Sequence, residues 1–423
     1  MKKTVLLILA AIACACTVTP PKQVYIPEEF QSMDWSDTSS RWCFQRSVST
    51  DDVIIFWEKG FGQDLTKAPR YKDNDMTVDV GRMLTQTQSF YTYFRDELKF
   101  ILPGSAADSH KMMVMLMYDD DGTAYGGDYD GRIGALWLTP LRTRGERLNV
   151  ISHELGHSFQ TQLAIDTGSG MGGGGIYEMT SQWMLWQTNP CWYDDERYHL
   201  EAYLAQTHLA FLHPANMYHD AHVLMDWSTL RGKTFIADLW RAARQRRNVI
   251  EVYKEFTGIS QEAFCLEQFE AARRLLTFDW DHVREACRKY CGLRVGDKTI
   301  SYALTGPDAG GWMRVEEGKE PQQYGFNSIL LPEGCRSVSL KPGEGAPEGS
   351  GWLFALTGIT AEGKPVYGPV SEVRTQEGTA VLSSDEPLVE VWLTVLAAPA
   401  ENQRVTEEIA DTYLSYPYFI SHS

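Results

Sequence analysis

The chain has 423 residues, 43% of them hydrophobic and 12% aromatic, and carries a formal net charge of −17. That length is more than one ordinary core holds and the composition is too apolar for a disordered chain, so two or three packed units are expected. The acidity argues against nucleic acid as a partner and against attraction to an anionic membrane face, because like charges repel at long range.

Lys2 and Lys3 precede an apolar run from Val5 to Ala13. The run is too short to span a bilayer and reads as the apolar part of a signal peptide. It closes in Ala11-Ile12-Ala13-Cys14-Ala15-Cys16, which resembles a bacterial lipobox. The resemblance implies lipidation at Cys14, with Cys16 as the alternative site. Residues 1–24 then form leader and tether, and the chain is exported and held to a bacterial membrane, periplasmic or at the cell surface, by its N-terminal lipid alone. A plain cleaved signal peptide is the alternative. Export permits disulfides, and the cysteines beyond the leader are Cys43, Cys191, Cys265, Cys287, Cys291 and Cys335. Such a set allows about fifteen complete pairings, and spacing does not choose among them.

Residues 25–292 read as a mixed α/β unit. Val53–Trp57 is a short apolar run of strand type, Val80–Leu98 has helical periodicity, and Lys111–Tyr118 is a buried strand whose methionines pack in the core. An acidic stretch follows, with Asp119-Asp120-Asp121-Gly122 and then Gly126-Gly127-Asp128-Tyr129-Asp130-Gly131. Its oxygens make Ca2+ an alternative ligand, but it departs from the EF-hand pattern, so a solvated hairpin loop is expected. Arg132–Thr139 is the next strand, closed by Pro140, and a helix is expected from near Arg144.

That helix carries Ser152-His153-Glu154-Leu155-Gly156-His157-Ser158. Its two histidines stand one turn apart on one face, the spacing at which two imidazoles hold one zinc with Glu154 beside it as a general base. Leu148, Ile151, Leu155 and Phe159 form an apolar stripe on the opposite side. One side of the helix can therefore enter a core while the histidines face a cleft. Gly168–Gly175 is a flexible reversing loop, and it lacks the Gly-Lys-Ser/Thr ending of a phosphate-binding loop. The next helix opens with Ile176-Tyr177-Glu178, and its return direction lets Glu178 point at the histidine face. Further helices are expected over Leu200–Leu212, Thr234–Arg247 and Ser260–Leu276, with Arg241, Arg244, Arg246 and Arg247 on a solvated face. From 297 to 423 the texture becomes β. Runs at Ile300–Leu304, Tyr324–Leu331 and Val389–Ala397 alternate with Gly/Pro turns, as in a sandwich ending near Tyr416–Ile420.

His153-Glu154-x-x-His157 followed by Glu178 resembles the gluzincin group of zinc metallopeptidases, and the order strand, motif helix, loop, glutamate helix is similar to a zincin core. The whole chain also resembles an uncharacterised group of bacterial secreted lipoproteins built as a gluzincin-like unit followed by a β domain. The fold class this implies is α+β, a zincin-like catalytic domain and then an all-β sandwich-like domain. The resemblance implies one catalytic zinc held by His153, His157 and Glu178, with Glu154 taking a proton from the attacking water. It implies a downstream oxyanion donor, for which Tyr218, His219 and His222 are candidates. Ser181 and Gln182 stand where a carboxylate orienting a ligand histidine is expected, and Gly134 and Ala135 would offer a sheet edge to an extended substrate. The resulting expectation is an exported zinc metallopeptidase acting on proteins or glycoproteins. The competing readings are a non-catalytic binding or adhesion lipoprotein on the same scaffold and a zinc amidase acting on cell-wall peptide.

Overall fold

The structure, a computed structural model, describes residues 20–244, 247–293, 301–403 and 413–422. The leader with Cys14 and Cys16, Arg246, the side chain of Cys291 and the start of the expected Ile300–Leu304 strand lie outside the described residues. The fold is α+β. A first, five-stranded sheet is built from β1 (Ser47–Ser49), β2 (Val53–Trp57), β3 (Met112–Leu116), β4 (Ala124–Tyr129) and β5 (Ile133–Leu138). Their order is β1-β2-β3-β5-β4, with β2, β3 and β5 parallel and both edge strands antiparallel. The runs VIIFW and MMVML are buried along their whole length, as parallel strands inside a sheet covered on both faces are.

Helix α1 (Val80–Asp96) is capped by Asp79, whose carboxylate accepts from Arg82 N. Its buried residues Met83, Thr87, Phe90, Tyr91 and Phe94 recur at helical spacing. Tyr91 and Phe94 meet Phe159 edge-on at 5.1 and 5.4 Å between ring centroids. Phe159 belongs to α2 (Asn149–Thr167), the helix of the histidine motif. This helix starts later than Arg144, since Pro140–Thr143 forms a 3-10 turn and Leu148 adopts a left-handed φ of 49°, which no helix interior tolerates. Gly168, at φ 66°, ends it. Leu148, Ile151, Leu155 and Phe159 are all buried, as the stripe predicts.

The loop after α2 is more constrained than its glycines suggest, because Gly170 N bonds Ala243 O at 2.7 Å and Gly172 N bonds Arg247 O at 3.0 Å. It leads into α3 (Gly174–Thr188), α4 (Trp192–Asp195), α5 (Arg197–Leu204), α6 (His222–Arg231), α7 (Phe235–Ala242), α8 (Val249–Thr257), α9 (Gln261–Leu275) and α10 (Asp281–Cys287). The helix expected over Leu200–Leu212 stops at Leu204, and a strap through Thr207, His208 and Phe211 pairs with β-type backbone instead. Thr207 O accepts from Phe326 N at 2.8 Å, His208 O from Gln322 N at 2.7 Å, and Phe211 N donates to Gln323 O at 3.3 Å.

The remaining strands are β6 (Leu304–Thr305), β7 (Arg314–Val315), β8 (Phe326–Leu330), β9 (Ser337–Pro342), β10 (Trp352–Ile359), β11 (Pro365–Tyr367), β12 (Ser371–Val373), β13 (Gly378–Val381), β14 (Glu390–Ala397) and β15 (Tyr418–His422). One sheet runs β11-β10-β14-β8 and a second runs β13-β9-β15. Alternate residues explain the two-sided burial of β10 and β14. Trp352, Phe354, Leu356, Leu393 and Val395 fill the space between the sheets. Leu353, Ala355, Trp392 and Leu396 join the core of the helical half. Phe264 of α9 meets Tyr324 edge-on at 5.2 Å, and Gln261 donates to Tyr324 OH and Pro399 O. One face of the β10–β14 sheet therefore completes the core of the helical half, while the space between the two sheets holds a separate apolar cluster. Among the described residues Cys43, Cys191, Cys265 and Cys335 are free thiols.

Candidate metal centre

His153 and His157 lie one turn apart on α2, and Glu178 lies on the first turns of the returning α3. The Nε2 atoms of the two histidines are 3.1 Å apart, and each is 3.1 Å from Glu178 Oε2. Three donor atoms thus form an equilateral triangle. Donors about 2.1 Å from one tetrahedral zinc stand about 3.4 Å apart, so the set fits that ion with a small outward adjustment. Neutral imidazoles and a carboxylate are also the donor chemistry zinc takes in His2Glu sites. Among the described residues this is the one His/Cys/Asp/Glu group compact enough to hold a metal.

The electrostatics favour a carboxylate there. Burial raises the Glu178 carboxyl, but hydrogen bonds and charge from both histidines outweigh it and hold it down at about 2. Burial opposes charge on His157 as well, yet its bond to Glu178 leaves its pKa raised. Glu154 is buried beside the triad and burial pushes its carboxyl up, as suits a group that accepts a proton.

Gly126 explains how Glu154 is placed. A Cβ at Gly126 would lie 1.9 Å from Glu154 O and 2.8 Å from His157 Cβ, so β4 presses directly on α2. The Gly126 N–H also bonds the Glu154 carboxylate. Residues 126–129 are therefore strand rather than loop, and glycine in the strand marks a close backbone approach. Only Asp130 and Gly131, with φ of 55° and 61°, make the turn into β5. The acidic side chains here are engaged by protein: Asp120 by Lys72 and Asn74, Asp128 by Gly131 N, and Asp130 by Tyr25 and Glu28 N.

Several expected roles change. Gly134 and Ala135 offer no sheet edge, because β5 is paired with β3 on one side and β4 on the other. They lie under α2, where Ser158 Oγ donates to Ala135 O at 2.7 Å. The free edge belongs to β4, whose Ala124, Tyr125 and Gly126 line a cleft of about 400 Å³ with His153, Glu154, His157, Glu178 and Tyr218. His222 is 2% exposed, pairs with Asp220 at 2.6 Å, and sits among Tyr203, Trp280 and Phe326, away from the triad. His219 faces His199, with their Nδ1 atoms 2.7 Å apart. Tyr218 alone of the three candidates reaches the centre. Burial and then Glu178 push its hydroxyl up to about 12, so it stays a donor at neutral pH. Tyr218→Phe is expected to lower kcat by about a hundredfold with little change in KM, read from steady-state peptide turnover.

Ser181 and Gln182 do not touch a ligand imidazole. Ser181 Oγ donates to the His153 carbonyl and packs against Gly156, where a Cβ would lie 2.4 Å from it. Gln182 Nε2 holds the Tyr218 carbonyl at 2.9 Å. The residue that orients a ligand is Gln160, which accepts at 2.8 Å from His157 Nδ1 and donates at 2.9 Å to Tyr177 O. With Nδ1 protonated, Nε2 is left free for a metal. Gln160 stands three positions after His157 on the same face, a spacing that could have revealed it. Gln160→Leu is expected to weaken zinc affinity by about 10–100-fold, measured by competition with a chromogenic chelator.

An α+β fold that gathers two histidines and a glutamate over a cleft defines the class of site. The chain belongs to the DUF6055 family, described as a family of unknown function, whose profile matches residues 16–422. No curated protein matches it. Among solved structures it is similar to the ZmpB metallopeptidase from Clostridium perfringens, at 13% identity over 89% of this chain and 71% of that one, with a TM-score of 0.34. It is similar also to the M60 catalytic domain of ZmpC from the same organism, in complex with the sialyl T antigen, at 12% identity over 85% of this chain and 68% of that one, with a TM-score of 0.31. A ZmpB structure holding two CBM32 domains and the M60 domain matches at 15% identity over 86% of this chain and 36% of that one, with a TM-score of 0.32.

Proposed function

We propose that the protein is a zinc-dependent metallopeptidase that hydrolyses peptide bonds in protein or glycoprotein chains, exported and tethered through a lipid on Cys14. The observation that carries this reading is the convergence of His153 Nε2, His157 Nε2 and Glu178 Oε2 at 3.1 Å from one another beside the buried Glu154. Zinc in such a donor set supplies Lewis acidity, which polarises a carbonyl and acidifies water. The chain's own groups divide the remaining work. The free edge of β4 pairs with an extended substrate backbone and lays its scissile carbonyl across the triad. The Glu154 carboxylate accepts a proton from the attacking water and returns it to the departing amine nitrogen. Tyr218 OH donates to the carbonyl oxygen as negative charge develops there. The same metal centre would serve an amidase acting on cell-wall peptide, and substrate profiling separates the two.

The test combines metal analysis with an unbiased peptide mixture. About one zinc per chain and cleavage that stops on chelation and returns with zinc are expected. A protein that binds no zinc, or that cleaves equally well after chelation, rules the reading out.

A further inference from the structure

Next to the metal centre, a cleft of about 260 Å³ is lined by His153, Glu154, Gln182 and Tyr218 and also by Glu196, Tyr198 and His199. Glu196 sits at the junction of α4 and α5, with its side chain 21% exposed. Its backbone N–H closes α4 on Trp192 O, but its side chain makes no cap bond to α5. Trp192 Nε1 donates to its Oε2 at 2.8 Å, Asn149 donates to the carboxylate as well, and His199 Nε2 lies 3.6 Å from Oε2. All three partners are neutral, since burial holds His199 down at about 3.

The nearby cations are engaged elsewhere. Arg147 pairs with Asp195, and Arg142 donates its Nε to Gly122 O on the opposite loop. Among the described residues no Lys or Arg forms an ion pair with Glu196. A carboxylate withdrawn from water ordinarily has a cationic partner, because an unpaired buried charge is costly. Burial pushes the Glu196 carboxyl up, as that cost requires. The missing partner has room to come from the cleft.

We propose that Glu196 is a specificity subsite for a positively charged side chain, ammonium or guanidinium, on a residue close to the bond cleaved at the His153, His157 and Glu178 centre. This inference rests on the metallopeptidase reading. A substrate cation entering the cleft would replace solvent at the carboxylate with a charge-assisted hydrogen bond, while Trp192 and Asn149 hold the carboxylate in place.

The test uses the full-length, zinc-loaded protein and titration calorimetry with lysine hydroxamate and norleucine hydroxamate. These probes share a metal-binding head and differ in the terminal ammonium. The lysine probe is expected to bind about tenfold more tightly. Glu196→Gln should abolish that difference and leave norleucine hydroxamate affinity unchanged, which also shows that the metal centre survives the substitution. Equal affinities in the parent protein overturn the proposal whatever the stability of the variant, and so does a lysine advantage that persists in Glu196→Gln. If neither probe binds the zinc-loaded protein, the metallopeptidase reading fails and the subsite falls with it.

Discussion

Zinc-loaded Glu154→Gln protein is expected to keep about one metal per chain and to lose at least about a thousandfold in kcat/KM. The residue stands outside the ligand triangle, so removing its charge leaves all three donors in place. Glutamine has the same shape and can still accept from Gly126 N, but it cannot carry a proton from water to a leaving amine. Burial already disfavours the ionised carboxylate, so a neutral amide should leave the protein at least as stable at neutral pH. Zinc content by elemental analysis, melting temperature and peptide turnover measured on one preparation check all three parts. Parent-like turnover in the variant would mean that the proton goes to another group.

Gly126→Ala is expected to lower unfolding stability by about 3 kcal/mol or more and to abolish most turnover. The added Cβ would meet Glu154 O at 1.9 Å and His157 Cβ at 2.8 Å, both parts of the helix itself rather than ends of flexible side chains. Helix α2 is held by Phe159 against α1 and by Ser181 through Gly156, so the edge strand has to retreat. That retreat takes away the N–H that steadies Glu154 and shifts the strand edge that lines the cleft. Gly127→Ala is the control. Its Cβ would point to the other face, 3.8 Å from the Trp137 ring, and should change stability by less than about 1 kcal/mol. Equal thermal shifts for the two variants would show that β4 does not press on the helix.

Much of this site is visible in the chain because helices repeat regularly. His153, His157 and the stripe Leu148, Ile151, Leu155 and Phe159 follow from angular spacing alone, and Glu178 from a helix that returns. Strand β2 matches its apolar run end to end, and β14 and α9 lie within a residue of the expected bounds, since long one-character segments leave little choice. What stayed hidden depends on contacts between distant segments. Gly126-Gly127-Asp128 lacks strand propensity and is a strand because β5 and α2 hold it on either side. Tyr218, His219 and His222 look equivalent in one dimension. Only packing sends His222 inward to Asp220 and turns Tyr218 toward Glu178. Gln160 could be found from its spacing. The Glu196 environment could be found only in part, as Trp192 and His199 stand at i−4 and i+3 while Asn149 comes from α2.

The strap through Thr207, His208 and Phe211 ties the C-terminal sandwich to the candidate site. Its backbone is stitched to residues 322–326, and a few residues later the same segment delivers Tyr218 to the metal centre. The sandwich thus buttresses the segment that carries Tyr218. Any other β module in its place would have to offer the strap the same backbone partners, Phe326 N, Gln322 N and Gln323 O.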